Sequence, residues 1–295
     1  MLEYLLAVGV IAAIYLLLTQ GLNLQYGFTG LVNFGHVGFF AAGAYASALL
    51  TKAGVPMPLG FLAALAAGAA LAYPVGLLSL RLRVDYFAIV TLAFSEAVRL
   101  AITNEKWLTG GVQGIPGIPA LAGGFGVPLS NSMAAFLLLV AANVAVVLAT
   151  RRLVKSPFGR LIQAIRDDED AVAALGKNPG AYKVQIFVIG AALAGLAGAF
   201  YAHYISYIVP DQFVPLLTFY VWVAMILGGT GRVSGAVVGT LVLMGFLEGS
   251  RFLRDAIPGV SEVEMASVRI GVVGLALILL MLHRPGGIMG DYTSK

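Results

Sequence analysis

The sequence predicts an all-α, polytopic membrane protein of about nine transmembrane helices, with eight to ten compatible with its apolar runs. Three observations predict it. Sixty per cent of the 295 residues are hydrophobic and 11% are charged, with a mean hydropathy of +0.93, whereas a soluble domain is about one quarter charged. Runs long enough to cross about 30 Å of hydrocarbon fall at 4–20, 33–50, 58–80, 86–104, 132–150, 182–207, 213–229, 234–252 and 266–282. Finally, residues 23–40 interrupt the apolar pattern with four glycines, two asparagines, a glutamine and a histidine. Lipid cannot satisfy freed backbone groups, so such a break persists only inside protein or beside a watery cavity. A broken helix carrying polar side chains is how transport proteins build a pathway, and the second span is read as broken.

The first span, Tyr4 to Leu18, follows Glu3 without a basic residue and is followed by no small-residue cleavage site, so it reads as retained. The polar segment 151–183 holds Arg151, Arg152, Lys155, Arg160, Arg166, Lys177 and Lys183, which places it in the cytoplasm. Counting outward, Arg81, Arg83, Arg232, Arg284 and Lys295 join it, twelve basic residues in all. Lys52, Lys106, Arg251, Arg254 and Arg269 fall outside, and Arg99 lies within a span. The N-terminus is then external, the C-terminus internal, and the Gly/Pro-rich loop 110–130 external, either an ordered lid or a plain connector. The chain reads as one transmembrane domain, 1–295, with 151–183 a loop inside it. Small-residue pairs (Gly235/Gly239, Ala64/Gly68, Ala191/Gly195, Ala194/Gly198) predict close helix contacts within the subunit. Thr29-Gly30-Leu31-Val32 is echoed by Thr230-Gly231-Arg232-Val233, and Gly228-Gly229-Thr230-Gly231 marks a sharp turn or a re-entrant loop.

Absence of cysteine excludes thiol catalysis, disulfides and cysteine-ligated metals. No nucleophile–base constellation occurs, so no catalytic residue is assigned and the chain is not itself an enzyme. Asp167-Asp168-Glu169-Asp170 are consecutive and cannot share one helix face. With no paired histidine they read as a solvated helix start, and no metal site is expected. Glu96 and Arg99 lie three apart on one helix face, with Thr91 and Ser95 on the same stripe. An intramembrane ionisable pair is either functional or a lock between helices. Asn33 and His36, also three apart, lie among Gly35 and Gly38, which permit close backbone or ligand approach. Thr29, Asn33, Gly35, His36, Gly38, Glu96, Arg99 and Thr230 are the pathway candidates, the competing reading for His36 being a packing residue. His203 and His283, near span ends, read as interfacial.

Segment 151–183 is far longer than the 2–8 residues usual between bundle helices. Ser156-Pro157 starts one helix, with Pro at its first position. The acidic run starts a second, which Gly176 closes. A short amphipathic helix outside the membrane suits docking of a cytoplasmic partner.

Four stretches carry a resemblance over nearly the whole chain: GFTGLVNFGHVGFFAAGAYASA at 27–48, DYFAIVTLAFSEAVRL at 85–100 with TGGVQGI at 109–115, SPFGRLIQAIRDDEDAVAALGKN at 156–178, and LGGTGRVSGAVVGT at 227–240. The chain resembles the LivM-like permease subunits of branched-chain amino acid ABC importers. The resemblance implies a multi-pass cell (inner) membrane protein that forms a path with a paralogous permease or a second copy. It implies two cytoplasmic ATPase subunits that bind ATP and Mg, an extracytoplasmic solute-binding protein, no cofactor on this chain and no nucleic acid. It also implies that 156–178 docks the ATPase, with Arg160, Arg166, Asp170, Ala173, Ala174, Leu175 and Gly176 as contacts. The usual Glu-Ala-Ala wording is replaced here by Asp170-Ala171-Val172-Ala173-Ala174. A urea or short-amide permease shares these motifs. A proton-coupled secondary transporter, with Glu96 and His36 as relay, is the reading from another class.

Overall fold

The computed structural model describes residues 2–79, 81–126, 129–256, 262–283 and 286–289. Arg284 and Lys295, two of the basic residues counted as cytoplasmic, lie outside the described residues. So do the side chains of Arg251, Arg254 and Arg269.

Almost everything described is helix. In chain order the helices are α1 (Leu2–Leu22), α2 (His36–Lys52), α3 (Met57–Leu78), α4 (Val84–Asn104), the short α5 (Lys106–Thr109) and α6 (Leu121–Gly124), α7 (Asn131–Lys155), α8 (Pro157–Asp167), α9 (Glu169–Ala174), α10 (Pro179–Ile205), α11 (Pro215–Gly228), α12 (Val233–Ala256) and α13 (Glu262–His283). Six described helical stretches are both long and apolar enough to cross a membrane: Leu2–Gly27, Met57–Leu78, Val84–Asn104, Asn131–Lys155, Pro179–Ile205 and Pro210–Gly228. α2 has only 17 residues, and the apolar part of α12 spans Val233–Gly249. The expected nine spans correspond in position to the nine longest described helices, but six meet the length and apolarity of a full crossing.

α2 and α10 form the centre. α10 packs against α3 and α2, while α1 packs on α10, α7 and α12. Small residues allow it. A Cβ on Gly195 would meet the Ala64 carbonyl oxygen at 2.2 Å, one on Gly198 the Phe40 carbonyl oxygen at 2.1 Å, and one on Gly239 the Ala224 carbonyl oxygen at 1.9 Å. The small-residue pairs therefore serve contacts within the subunit, as expected, with backbones close enough for direct van der Waals packing.

The chain reversals divide between two ends. At one end lie residues 53–56, 105–126, 129–130 and 206–214. There β1 (Ile115–Pro116) pairs antiparallel with β2 (Tyr207–Ile208), which ties the described part of the Gly/Pro-rich loop to the segment after α10. His203, in the last turn of α10, is buried within the subunit: its Nδ1 donates to the Pro119 carbonyl oxygen at 2.8 Å and its Nε2 accepts from Ser47 Oγ at 2.8 Å. A buried imidazole must satisfy both nitrogens, and here they tie α10 and α2 to that loop. At the opposite end lie the α3–α4 turn, the 228–233 turn and the α8–α9 segment, which together carry Arg81, Arg83, Arg160, Arg166 and Arg232.

The α8–α9 segment folds as the sequence indicates. Ser156 Oγ accepts from Gly159 N, Asp168 from Ala171 N and Asn178 Oδ1 from Ala181 N, one side-chain cap for each of α8, α9 and α10. Gly176, at φ 74°, stops α9.

Candidate functional site

The interruption at 23–40 does not cut the second span in two. α1 continues past Leu22 as a π-turn, Asn23–Gly27, with Phe28 N donating to the Asn23 carbonyl oxygen at 3.1 Å. Residues 28–35 then run without regular structure, and α2 begins only at His36. The break lies between the first two spans: a Cβ on Gly27 or Gly35 would obstruct the reversal, and Gly30 takes a left-handed conformation, φ 76°. π-Turns within helices are rare and concentrate at functional sites.

The reversal folds back along α1. His36 Nε2 donates to the Leu18 carbonyl oxygen at 3.2 Å, nine residues before Gly27. That places the start of α2 roughly 13 Å back along the α1 axis at 1.5 Å per residue. α2 thus starts inside the bundle, where its first N–H groups need partners. Gly35, at its N-cap, has no side chain to offer. Hydroxyls from other helices take the role: Phe34 N donates to Thr91 Oγ1 of α4 at 3.1 Å, and Val37 N to Thr218 Oγ1 of α11 at 3.0 Å.

Asn33 orders the rest. Its Nδ2 donates to Gln25 Oε1 at 2.8 Å and contacts His36 Nδ1 at 3.4 Å, and its Oδ1 accepts from Gly35 N at 2.9 Å. Its carbonyl oxygen accepts from Trp222 Nε1 at 3.0 Å, and Gln25 Nε2 donates to the Phe187 carbonyl oxygen at 2.8 Å. With Nε2 donating, the His36 ring is neutral with Nδ1 as acceptor. Asn33, His36 and Gln25 are fully buried, and the network is satisfied within this chain. Their polar atoms hold the unwound segment. The space left by Gly35 is taken by backbone: a Cβ there would lie 1.9 Å from the Thr91 carbonyl oxygen, and one on Gly38 2.9 Å from Ser95 Cα.

The outward side of the segment is apolar. Tyr26, Val32 and Phe34 join Leu216, Phe219, Trp222 and Ile226 of α11 and Val273 of α13 around an open groove of about 480 Å³. The Phe34 ring lies tilted against Phe219 and Trp222, with centroids 5.6 and 5.3 Å away.

Glu96 and Arg99 form a pair on α4, with Arg99 Nε donating to both carboxylate oxygens at 3.1 and 3.0 Å. Arg99 Nη1 also reaches Asp211 Oδ1 at 3.5 Å, linking α4 to the end that carries the β1–β2 pair. The pair is partly exposed, whereas Thr91 and Ser95 on the same helix are buried. The sequence stripe is therefore buried at Thr91 and Ser95 and opens toward Glu96 and Arg99. Thr29 is buried, with Oγ1 on the Leu24 carbonyl oxygen at 3.2 Å, while Thr230 is exposed.

The second echoed motif, 230–233, meets the π-turn of the first half. Asn23 Oδ1 accepts from Gly231 N at 2.9 Å and its Nδ2 donates to the Arg232 carbonyl oxygen at 3.0 Å. Gly30 and Gly231 both take the left-handed conformation, φ 76° and 72°.

On the α8–α9 segment, Ile162 and Ile165 of α8 and Val172 of α9 point into the core. Asp170, Ala173, Ala174, Leu175 and Gly176 are exposed, Leu175 to 80%. Arg160 is exposed and donates to the Lys155 carbonyl oxygen at 3.3 Å. Arg166 departs from the expected rim position. Its Nη1 reaches into the subunit to the Gly27 carbonyl oxygen at 2.8 Å. The acidic run is used locally: Asp167 accepts from Arg166, Glu169 pairs with Lys183, and Asp168 caps α9.

Sequence reasoning missed Gln25, Asn23, Thr218 and Trp222. Asn23 and Gln25 were visible as polar residues in the break, but a threonine and a tryptophan within an apolar span give no signal of what they bond.

Residues 4–281 match the family model described as branched-chain amino acid transport system / permease component. The chain is 33% identical over 309 residues to the high-affinity branched-chain amino acid transport system permease protein LivM of Escherichia coli, covering 96% of this chain and 69% of that protein. It is 27% identical to the probable LivM of Methanocaldococcus jannaschii (94% and 91% covered). It is 28% identical to the permease protein BraD of Pseudomonas aeruginosa (95% and 92%). No solved structure matches.

Proposed function

This chain belongs to the permease components of branched-chain amino acid transport systems, and we propose that it is one half of the membrane path of an ATP-driven importer for these amino acids. On this reading it sits in the cell membrane with nine crossings, α2, α12 and α13 completing the six self-sufficient ones. The α8–α9 segment faces the cytoplasm and docks one of two ATPase subunits, which carry ATP and Mg. A second permease, paralogous or identical, completes the path, and a soluble protein outside delivers the solute.

The observation that carries this reading is the α8–α9 segment. It is capped at both helices, anchored by Ile162, Ile165 and Val172, and ends in bare Ala173, Ala174 and Leu175. An exposed leucine on a rigid, water-facing tip is what a partner's groove is built to cover. A secondary transporter has no use for such a tip. Its proposed relay is also poorly supported, since both His36 ring nitrogens are engaged and Glu96 is held by Arg99.

The path is placed along the groove of Tyr26, Val32, Phe34, Phe219 and Trp222. Asn33, His36, Gly35 and Gly38 act there by holding the unwound segment, with Thr29 and Thr230 at its cytoplasmic end and Glu96 and Arg99 toward the outer mouth. Apolar walls suit an aliphatic side chain and give urea or a short amide nothing to bond. The purified complex with its binding protein should show an ATPase rate raised by leucine, isoleucine or valine and not by urea or acetamide. A rate raised by the amides alone would replace this reading with the amide permease.

A further inference from the structure

We infer that Arg166 is the positioning residue that transmits movement of the docking segment to the unwound start of α2. The inference rests on the docking reading of α8–α9.

Arg166 lies in the last turn of α8, and its guanidinium works as a fork with two jobs. Nε and Nη2 donate to Asp167 Oδ1 at 3.1 and 3.0 Å, which fixes the plane of the group. That leaves Nη1 directed at the Gly27 carbonyl oxygen, 2.8 Å away. A planar, delocalised cation held on one edge presents its other edge in a defined direction, which a flexible ammonium does not.

The place it reaches matters more than the bond. Gly27 closes the π-turn, and beyond it the chain leaves helical geometry until His36. The guanidinium sits between the two left-handed turns. A Cβ on Gly231 would lie 3.0 Å from Arg166 Nη1 and 2.8 Å from the Gly27 carbonyl oxygen, and one on Gly30 3.4 Å from Arg166 Cγ. Asn23 couples the same two turns from the other side, through Gly231 N and the Arg232 carbonyl oxygen. Among the described residues, the Arg166–Gly27 bond is the one hydrogen bond given by a side chain of 156–176 to 23–35. Arg160, the other arginine of α8, bonds only the neighbouring Lys155 carbonyl oxygen. The other charged tie, Glu169 with Lys183, leads to α10 and away from the break.

The connection is short. From Gly27 the chain passes through 28–35 to Asn33, whose bonds reach Gln25, Gly35 and Trp222, and to Phe34, whose N–H is held by Thr91 of α4. A displacement of α8 therefore arrives at the residues that line the apolar groove, Val32 and Phe34, within eight residues of the arginine's grip. A rigid α8, buried through Ile162 and Ile165, moves as a unit. An unwound segment without its own ladder is the element that yields.

The test uses the complete complex, permease pair and ATPase subunits, reconstituted with its binding protein. ATPase retention is measured after purification, and leucine uptake is expressed per ATP hydrolysed. Arg166→Ala should keep the ATPase subunits bound while uptake per ATP falls roughly tenfold, the scale set by losing a charge-assisted hydrogen bond. Arg166→Lys, which keeps a donor but not the fork, should recover part of the loss. Asp167→Ala removes an exposed side chain and frees the fork without removing it. It should lower uptake per ATP several-fold, and it decides the matter alone if the Arg166→Ala permease itself does not fold and cannot be purified. Unchanged coupling in these variants overturns the inference. Loss of ATPase subunits from Arg166→Ala also overturns it, placing the arginine in the partner contact instead. Failure of the docking reading is distinguishable, because Ala174→Asp would then retain its ATPase subunits and transport normally.

Discussion

Ala174→Asp should release the ATPase subunits from the membrane complex, or leave them bound and uncoupled, while the membrane part stays folded. Ala174 ends α9 on its exposed side, beside Ala173 and the bare Leu175. Inside the subunit nothing depends on it: the helix is anchored by Val172 and capped by Asp168. In a docked state the same surface is the dry centre of a contact. A carboxylate there must be desolvated without a partner, which costs about 3 kcal/mol or more, about a hundredfold in affinity. Arg160, on the rim, contributes no more than about 1 kcal/mol, so Arg160→Ala should retain both partners and uptake. Co-purification and uptake read the two variants side by side. Normal transport by Ala174→Asp with its ATPase subunits attached would end the docking assignment.

Gly35→Ala should be among the most damaging single-methyl changes in the chain, and the damage should appear in folding before transport. Gly35 has φ −97°, which any residue adopts, so the change carries no backbone strain. Its whole effect is steric. The new Cβ would lie 1.9 Å from the Thr91 carbonyl oxygen and 2.5 Å from its carbon, atoms of a helix that cannot rotate aside. Relieving the overlap means withdrawing α2 from α4, which also breaks the Phe34–Thr91 cap. Overpacking of this severity costs about 3 kcal/mol or more, and a membrane subunit with that deficit should purify in low yield with a lowered melting temperature. Gly123→Ala is the control, because its Cβ would meet nothing within 4 Å. Equal yields and melting temperatures for the two variants would show that the α2–α4 approach is not tight.

Much of the architecture was legible because lipid leaves few choices. Apolar runs located the long helices, Ser156-Pro157 and the Asp168 run located α8 and α9, and the small-residue pairs marked contacts that prove to lie within the subunit. The break was legible as composition but not as geometry. Asn23 to Gly27 have no periodicity that separates a π-turn from an α-helix, so the extension of α1 and the late start of α2 at His36 could only be seen folded. Long side chains were the least legible. Arg166 is a surface residue by its neighbours in sequence, yet its reach brings it to Gly27, 139 positions away. His203 was read from its place near a span end, whereas Ser47 and the Pro119 carbonyl, both distant in sequence, decide its surroundings. Glu96 and Arg99 were paired correctly by spacing, but their third partner, Asp211, belongs to another element.

On the proposed reading, this permease moves a branched-chain amino acid at the expense of ATP hydrolysed by docked partners. The most direct measurement is labelled leucine uptake into proteoliposomes holding the complete complex, with binding protein present and no ion gradient across the membrane. Accumulation should require ATP on the ATPase side and survive an uncoupler. Accumulation that needs an imposed proton gradient, and proceeds without ATP, would contradict it.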